Sequence, residues 1–309
     1  MRIAIDAMGG DLAPDVIIKG AIDALDLLAP EDQLVLVGDE AHISEYLTER
    51  GTCDSRVLIH HTSQVITMDD SPVEAVRSKP DSSIVQMMHL ASKRRSDHPV
   101  DVVISAGNTG ACVSAATMYM RRLPGVHRPG IATAIPTFHG PVVICDVGAN
   151  PEPRETHLAQ YAVMAEIYAK KVLGIASPRV ALLNIGSEEA KGTQSIKTVR
   201  DMIRDIDDLN YIGYVEGRDV FEGTADVIVT DGFVGNTMLK LAEGFAKSLF
   251  KAIAHEVFEA DPDLAMRLQP VVEQLMKKND YHEYGGAPLL GVNGACIICH
   301  GSSEARTIR

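Results

Sequence analysis

The sequence contains no tryptophan, and aromatic residues make up only 5% of its 309 positions. Proteins that bind single-stranded nucleic acid stack bases on aromatic side chains, so this scarcity argues against such a surface. Positive charge is also limited, because 42 acidic residues outnumber 29 lysines and arginines and leave a formal net charge of −13. Most of the surface would repel a phosphate backbone. We therefore expect no nucleic-acid partner.

Long apolar runs are missing as well. No window approaches the roughly 18 consecutive apolar residues of a membrane-spanning helix. The chain opens directly on a strand-like run, MRIAID, without the charged and apolar segments of a secretory signal. We expect a cytoplasmic protein whose contact with a membrane, if it makes one, is peripheral.

The five cysteines are expected to be reduced, buried thiols. Cys296, Cys299 and His300 spell the CxxCH pattern of covalent haem attachment, but the run ACIICH reads as a buried strand. No pair of His or Asp residues has metal-ligand spacing either. We expect no metal and no cofactor.

Short runs rich in Val, Ile and Leu alternate with amphipathic segments along the chain. Strands this apolar are covered on both faces, and their alternation with helices predicts an α/β fold with a mostly parallel sheet. Only Thr137 to Gly140 separate IATAIP from VVICD, which is too short for a crossover helix and predicts a hairpin in a mixed sheet. The strand runs lie at 2–6, 34–38, 56–60, 101–105, 142–146, 179–184, 211–215, 226–230 and 295–299.

Helix starts are marked between the strands. Pro14 suits a first helical turn, Asn108 can cap the helix that follows it, and Ser187 before two glutamates suggests another N-cap. No linker or repeat divides the chain. We therefore expect one α/β domain over residues 1–309.

A helical hairpin is predicted at about residues 234–279, with a break at Asp261 and Pro262. Each helix carries an apolar stripe, which runs from Met238 to Val257 on the first and from Leu264 to Met276 on the second. Core packing, a dimer interface and a membrane-facing surface would all produce such stripes.

Glycine-rich turns at strand ends are the main functional signal, because open α/β sheets bind ligands beyond the carboxyl ends of their strands. In ISAGNTGA, close backbone approach and unpaired N–H groups at a helix start would create an anion site. Glycine also serves simple tight turns. The P-loop and GxGxxG spacings are absent, so a nucleotide is not indicated. The candidate residues are Ser105, Gly107, Asn108, Thr109 and Gly110.

Three further turns follow the same logic. Lys191, shortly after a strand end, can reach an anion bound among such loops, although a surface lysine is the alternative. Arg77 and Lys79 are further candidate anion ligands, or else an exposed helix end. No serine or cysteine lies in a nucleophile motif, so a covalent acyl-enzyme is not suggested. The other candidates are Asp6, Gly9, Gly10, Asn184, Asp231 and Asn236.

Six segments together resemble the successive signatures of the acyl-ACP:phosphate acyltransferases of bacterial phospholipid synthesis. They are MRIAIDAMGGD, ISAGNTGA, ICDVGANPE, LLNIGSEEAKG, VTDGFVGN and YGGAPLLGVNG, and they span almost the whole chain in order. The resemblance implies transfer of a long-chain acyl group from acyl carrier protein (ACP) to inorganic phosphate. The acyl phosphate would serve a membrane-bound glycerol-3-phosphate acyltransferase.

The resemblance also implies a homodimer and a three-layer α/β/α fold related to phosphotransacetylases and isocitrate-dehydrogenase-like enzymes. It further implies peripheral membrane association through the hairpin. On this basis we hypothesise that Lys191 is the principal catalytic cation and that the residues from Ser105 to Gly110 cradle phosphate. The residues that would shape the cleft are Asp6, Gly9, Gly10, Asn184, Asp231 and Asn236.

Three alternatives stay open at this point. A phosphotransacetylase-like enzyme would use acyl-CoA in place of acyl-ACP. A nicotinamide-dependent decarboxylating dehydrogenase would need a dinucleotide motif, which is absent. A noncatalytic regulator could use the glycine turns to bind acyl or phosphate ligands.

Overall fold

The structure is a computed structural model that describes residues 1–92, 94, 96–278 and 285–309. Residue 279, the predicted end of the hairpin, and Tyr284 of the YGGAPLLGVNG segment lie outside these ranges. The strands are β1 (Arg2–Asp6), β2 (Gln33–Gly38), β3 (Val57–His61), β4 (Val102–Ser105), β5 (Gly130–Ile135), β6 (Val142–Cys145), β7 (Val180–Leu183), β8 (Tyr211–Val215), β9 (Val227–Val229), β10 (Ala287–Leu290) and β11 (Ala295–Ile298). The helices are α1 (Asp15–Asp23), α2 (Glu40–Glu49), α3 (Pro72–Ser78), α4 (Ser83–Ala91), α5 (Thr109–Ala115), α6 (Glu155–Lys171), α7 (Gln194–Arg204), α8 (Gly232–Ala260), α9 (Pro262–Lys278) and α10 (Ala305–Ile308).

The chain divides into two compact units, and unit 1 comprises Met1–Ile131 and Tyr284–Arg309. Its strands follow the order β3-β2-β1-β4-β11-β10, in which all neighbours but the last pair are parallel. In the hydrophobic core, Ile5 and Leu36 of the sheet belong to one buried cluster with Ile17 and Ile18 of α1. Because β1 and β4 are adjacent and parallel, Asp6 and Ser105 end side by side at one edge of the sheet.

Unit 2 comprises Ala132–Glu283. The predicted hairpin is confirmed, since β5 pairs antiparallel with β6, and the parallel strands β6, β9, β7 and β8 follow in that order. Helix α6 packs on β6 and β9, and α7 packs on α6 and β8. The loops after β6, β7 and β9 therefore leave the sheet at the same edge. The two units together confirm the α/β class with a mostly parallel, mixed sheet.

The helical hairpin is confirmed as α8 and α9, which pack against each other. Gly232 and Gly235 are the only buried residues among the described positions of α8. Leu241 and Phe245 of the apolar stripe are 70% and 65% exposed. The core-packing interpretation of the α8 stripe is therefore wrong for the single chain. In the described part of the chain, no helix combines the length and hydropathy of a membrane span.

Two local predictions differ from the structure. Ser187 does not cap a helix, because residues 187–192 form a loop and α7 begins at Gln194, where the Thr193 side chain accepts a hydrogen bond from Ile196 N. Gly192 in this loop has φ of +87°, a left-handed conformation that interrupts a helix. Strand β10 was not predicted, because APLL is short, contains a proline and lies among glycines.

Candidate active site

Asp6, at the end of β1, organises the first group of predicted site residues. Its side chain is fully buried. Ser105 Oγ donates to Asp6 Oδ2 at 2.6 Å, and Met8 N donates to Asp6 Oδ1 at 3.2 Å. Burial raises the pKa of Asp6, while hydrogen bonds from Ser105 and Ser83 oppose that rise. We call this group, formed by residues 6–11 and 105–110, the unit 1 cradle.

The Ser105 hydroxyl already makes hydrogen bonds to other residues of the unit 1 cradle. It donates its proton to Asp6 and accepts from Gly107 N at 3.0 Å. A phosphate could receive this proton only if Ser105 turned away from Asp6. The serine therefore orders the loop in this structure rather than presenting a free donor.

The glycines of the unit 1 cradle are required by close packing. A Cβ on Gly9 would lie 2.3 Å from Asp6 Oδ2, and one on Gly110 would lie 2.6 Å from Pro72 Cγ. Gly10 has φ of +117°, which disfavours any other residue there. The neighbours of these glycines are protein atoms, so the glycines bring the loops together.

The prediction that Asn108 is the N-cap of α5 is confirmed, because its Oδ1 accepts a hydrogen bond from Ala111 N at 3.0 Å. Its Nδ2 donates to the carbonyl oxygens of Thr67 at 3.1 Å and Asp70 at 3.2 Å. Its side chain is thus used to hold the 67–70 loop against the helix. Thr109, by contrast, makes no side-chain hydrogen bond to another described residue.

The two basic candidates of unit 1 differ in their partners. Lys79 Nζ lies 2.6 Å from Asp70 Oδ2 and 3.0 Å from the Val65 carbonyl oxygen. Arg77 is exposed in the last turn of α3 and forms no ion pair with another described residue. Lys79 therefore holds the 65–70 loop through its ion pair.

Asp146, at the end of β6, organises a second group in unit 2. It is fully buried, and its carboxylate accepts from Ala149 N at 3.1 Å and Asn150 N at 2.6 Å. Asn150 Nδ2 lies 2.7 Å from the Tyr161 hydroxyl oxygen, so helix α6 supports the loop. We call this group, formed by residues 146–150, 184–192 and 230–236, the unit 2 cradle.

Asp146 and Asn150 were not among the predicted site residues. The signal was present, since CDVGAN follows a strand with an aspartate and a glycine, as IDAMGG does. What the sequence did not indicate is that Asp146 underlies the loop at the start of α8. A Cβ on Gly235 would lie 2.0 Å from the Asp146 carbonyl oxygen, and Gly232 N donates to the Asn150 carbonyl oxygen at 2.8 Å.

The predicted residues Asp231 and Asn236 lie at the start of α8. Asp231 is its N-cap and accepts from Val234 N at 2.8 Å. Asn236 lies beside Gly148, since a Cβ on that glycine would be 3.7 Å from Asn236 Cγ. Asp231 therefore has a structural role in the first turn, and Asn236 borders the 146–150 loop.

Lys191 lies in the loop after β7. Its side chain passes over Gly186, where an added Cβ would be 3.1 Å from Lys191 Cγ. Asn184 supports the loop, because its Nδ2 donates to the Gly186 carbonyl oxygen at 3.2 Å and its Oδ1 lies against Gly192. Lys191 is exposed and forms no ion pair with another described residue. It is therefore a cation available to an anionic ligand.

The buried cysteines are poor nucleophiles. Burial raises the pKa of Cys112 to about 12 and also raises the pKa of Cys145 and of Cys296. Among residues that the structure describes, no group of three or more His, Cys, Asp or Glu side chains could hold a metal ion.

The chain has an α/β fold similar to that of phosphotransacetylases of known structure. It aligns with a phosphotransacetylase from Streptococcus pyogenes at a TM-score of 0.64 and 16% identity, covering 100% of this chain and 90% of that one. It aligns with a branched-chain phosphotransacylase from Enterococcus faecalis at a TM-score of 0.57 and 13% identity, covering 100% and 95%. Identities this low establish the fold alone.

Sequence relatives are more specific. The profile of the family described as "Fatty acid synthesis protein" matches residues 1–309. Phosphate acyltransferases from Heliobacterium modesticaldum and Moorella thermoacetica are 48% and 46% identical, with 100% of this chain aligned to 91% and 89% of theirs. The chain belongs to the phosphate acyltransferase family and is an acyltransferase of fatty acid and phospholipid synthesis.

Proposed function

We propose that the protein transfers a long-chain acyl group from ACP to inorganic phosphate and forms an acyl phosphate. Family membership supports transfer of an acyl group to phosphate. The observation that carries the assignment to particular residues is Lys191, an exposed lysine that has no ion pair with a described residue and lies on a loop ordered by Asn184. Its ammonium group is a positive charge that can bind an anionic substrate.

The chemistry requires no enzyme nucleophile. A phosphate oxygen attacks the thioester carbonyl carbon, and the carbonyl electrons move onto oxygen to give a tetrahedral oxyanion. Collapse of this intermediate breaks the carbon–sulfur bond, releases the ACP thiolate and leaves the acyl phosphate. Correct orientation of phosphate and stabilisation of the oxyanion are then the main catalytic terms. The raised thiol pKa values of the buried cysteines are consistent with a direct attack.

Each cradle has a proposed role. Lys191 binds phosphate and stabilises the developing charge. Within unit 1 taken by itself, the Thr109 hydroxyl and the N–H groups of Thr109 and Gly110 would bind an anion such as phosphate. First-turn N–H groups lack partners within the helix, and the next one, Ala111 N, already donates to Asn108 Oδ1. Asp6 and Ser105 act as positioning residues that hold Gly107 in place.

Two exposed apolar side chains support a long-chain acyl donor. Ile185 after β7 and Phe233 after β9 are 81% and 67% exposed. Strands β7 and β9 are parallel neighbours, with Leu182 paired to Val229, so both side chains follow adjacent strand ends. Exposed apolar groups in the same strand-end segments as Lys191 and Asp231 suit an acyl chain that leaves water on binding.

The choice of donor is tested by comparing palmitoyl-ACP with palmitoyl-CoA in the presence of phosphate. Hydroxylamine traps the acyl phosphate as a hydroxamate, and free thiol is measured in parallel. We expect phosphate-dependent formation of both products, with a higher kcat/KM for palmitoyl-ACP. A higher kcat/KM for palmitoyl-CoA would reject the ACP assignment and favour the phosphotransacetylase-like alternative. Absence of both products with either donor would favour the noncatalytic regulator.

We also propose that the protein is a homodimer in the cytoplasm that contacts the membrane through α8 and α9. Such a position would deliver acyl phosphate to a membrane-bound glycerol-3-phosphate acyltransferase. The exposed stripe that includes Leu241 and Phe245 supports this proposal, because a monomer seldom leaves so apolar a surface uncovered.

The hairpin proposal is tested with Phe245→Glu and a matched control. Ala254→Glu introduces the same charge at an exposed position of α8, on the opposite side of the helix from Phe245. We expect Phe245→Glu to reduce binding to anionic liposomes or to dissociate the dimer in size-exclusion light scattering, while Ala254→Glu changes neither. Unchanged binding and mass in Phe245→Glu would contradict both functions of the stripe.

A further inference from the structure

A cavity of about 470 Å³ lies within unit 2 between α7 and β8. Its wall includes Arg200 and Arg204 of α7, Tyr211 and Tyr214 of β8, and Glu189 of the loop that carries Lys191. Strand β8 is the last in the strand order, so nothing in the described sheet covers its far side. Of these residues, only Glu189 lies in the unit 2 cradle, and none of them has a proposed role in acyl transfer.

Two polar groups of the cavity wall have no hydrogen-bond partner among the described residues. The hydroxyl oxygens of Tyr211 and Tyr214 are sealed from solvent and form no hydrogen bond with any described residue. The whole side chain of Tyr214 is buried, with 8% of the residue exposed. Buried polar groups in native proteins are almost always paired, so unpaired ones call for an explanation such as a ligand. Burial also raises the pKa of Tyr211, which therefore remains a proton donor at neutral pH.

The cavity already holds one carboxylate at its edge. Arg204 donates to Glu189 Oε1, although the Glu189 side chain is 70% exposed and its ion pair is open to water. Arg200 donates to the Glu189 carbonyl oxygen at 3.0 Å and to Asp201 at 2.8 Å, so it anchors the loop. An exposed ion pair is weak and easily exchanged. Another anion could therefore replace the Glu189 carboxylate on Arg204.

We propose that this cavity is a second ligand site, which binds a small phosphomonoester. Its phosphate would take the place of the Glu189 carboxylate on Arg204. Because the hydroxyls of Tyr211 and Tyr214 are sealed from solvent, the proposal requires that this displacement also uncovers them, so that they donate hydrogen bonds to the phosphate. Phosphate oxygens suit a guanidinium fork and two hydroxyl donors. The volume lies within the range of about 300–1,000 Å³ for small-molecule sites, and Ile203 supplies an apolar wall for the organic part. The proposal does not depend on the acyl-transfer function.

The test uses fluorine NMR of protein labelled with 3-fluorotyrosine, with phenyl phosphate as the probe. The chain has eight tyrosines, and the signals of the two cavity residues are assigned from Tyr211→Phe and Tyr214→Phe. We expect phenyl phosphate to shift both signals in a saturable manner, while benzyl alcohol does not. Inorganic phosphate alone serves as a separate titration, which reports whether the organic part contributes to affinity.

The matched variants are Arg204→Gln and Arg218→Gln. Arg218 lies in the same unit, is 78% exposed and lies outside the cavity wall. We expect Arg204→Gln to raise the dissociation constant for phenyl phosphate by about tenfold or more, since it removes a charge-assisted hydrogen bond. Arg218→Gln should leave it unchanged. Unshifted signals at saturating probe, or equal binding by Arg204→Gln, would overturn the proposal. Signals that move with protein concentration instead would assign the tyrosines to a contact between copies.

Discussion

The loops of the unit 1 and unit 2 cradles are ordered in the same way. In each, a strand ends at a fully buried aspartate, Asp6 or Asp146, whose carboxylate holds a glycine-containing loop. Their partners differ, because Asp6 accepts from the Ser105 hydroxyl whereas Asp146 accepts from the backbone N–H groups of Ala149 and Asn150.

The larger difference between the two units is whether their candidate lysine forms an ion pair. Lys79 of unit 1 is held in an ion pair with Asp70, whereas Lys191 of unit 2 is exposed and has no ion pair with a described residue. The buried carboxylates order the loops, and we propose that Lys191, which has no ion pair with a described residue, supplies the catalytic positive charge.

The largest effect is expected from the two lysines. Lys191→Ala should lower kcat by on the order of 100-fold or more, the scale seen when one oxyanion donor is removed. Lys79→Ala should change kcat far less, because that ammonium is engaged by Asp70. Both are measured by hydroxamate formation, with circular dichroism as a control for folding. Equal losses in the two variants would contradict the distinction between them.

A smaller effect is expected from two tyrosines of unit 2. Tyr161→Phe removes the hydroxyl bonded to Asn150, so unfolding in urea should show a loss of about 1–3 kcal/mol in stability. Tyr214→Phe removes a hydroxyl without a described partner, and should leave the free energy of unfolding unchanged or raise it. The reverse order would show that Tyr214, rather than Tyr161, is the paired hydroxyl.

The smallest effect is expected in the pH dependence of the unfolding free energy, to which Asp6 contributes. Because burial raises the pKa of Asp6, its contribution to stability is fully present below the ordinary aspartate value. The contribution is lost as pH rises through the folded pKa. The difference in unfolding free energy between the wild type and Asp6→Asn should therefore fall as pH rises from about 4. Urea unfolding at several pH values measures it. A difference that grows with pH would contradict the raised pKa.

Much of the fold could be predicted from the sequence because its signals are local. Apolar runs indicated strands such as β1 and β7, and Asn108 indicated the start of α5. Strand β10 was missed because a short run with a proline gives no clear period, and its pairing with β5 and β11 depends on distant residues.

The sequence predicted which residues belong to the candidate site but not which partners their side chains bind. The sequence indicated both Lys191 and Lys79 as candidate anion ligands, but only the structure shows that Lys79 pairs with Asp70 whereas Lys191 has no ion pair with a described residue. Likewise, Ser105 looked like a phosphate donor, yet its proton is directed to Asp6. Such partners come from neighbouring strands and loops, so no local pattern reveals them.

The central claim is that phosphate attacks the acyl donor directly. Rapid mixing of the protein with palmitoyl-ACP, with and without phosphate, and quantification of free ACP thiol tests it most directly. We predict no thiol release above background without phosphate, and release matched by hydroxamate when phosphate is present. A stoichiometric burst of thiol in the absence of phosphate would reveal an acyl-enzyme and contradict the account.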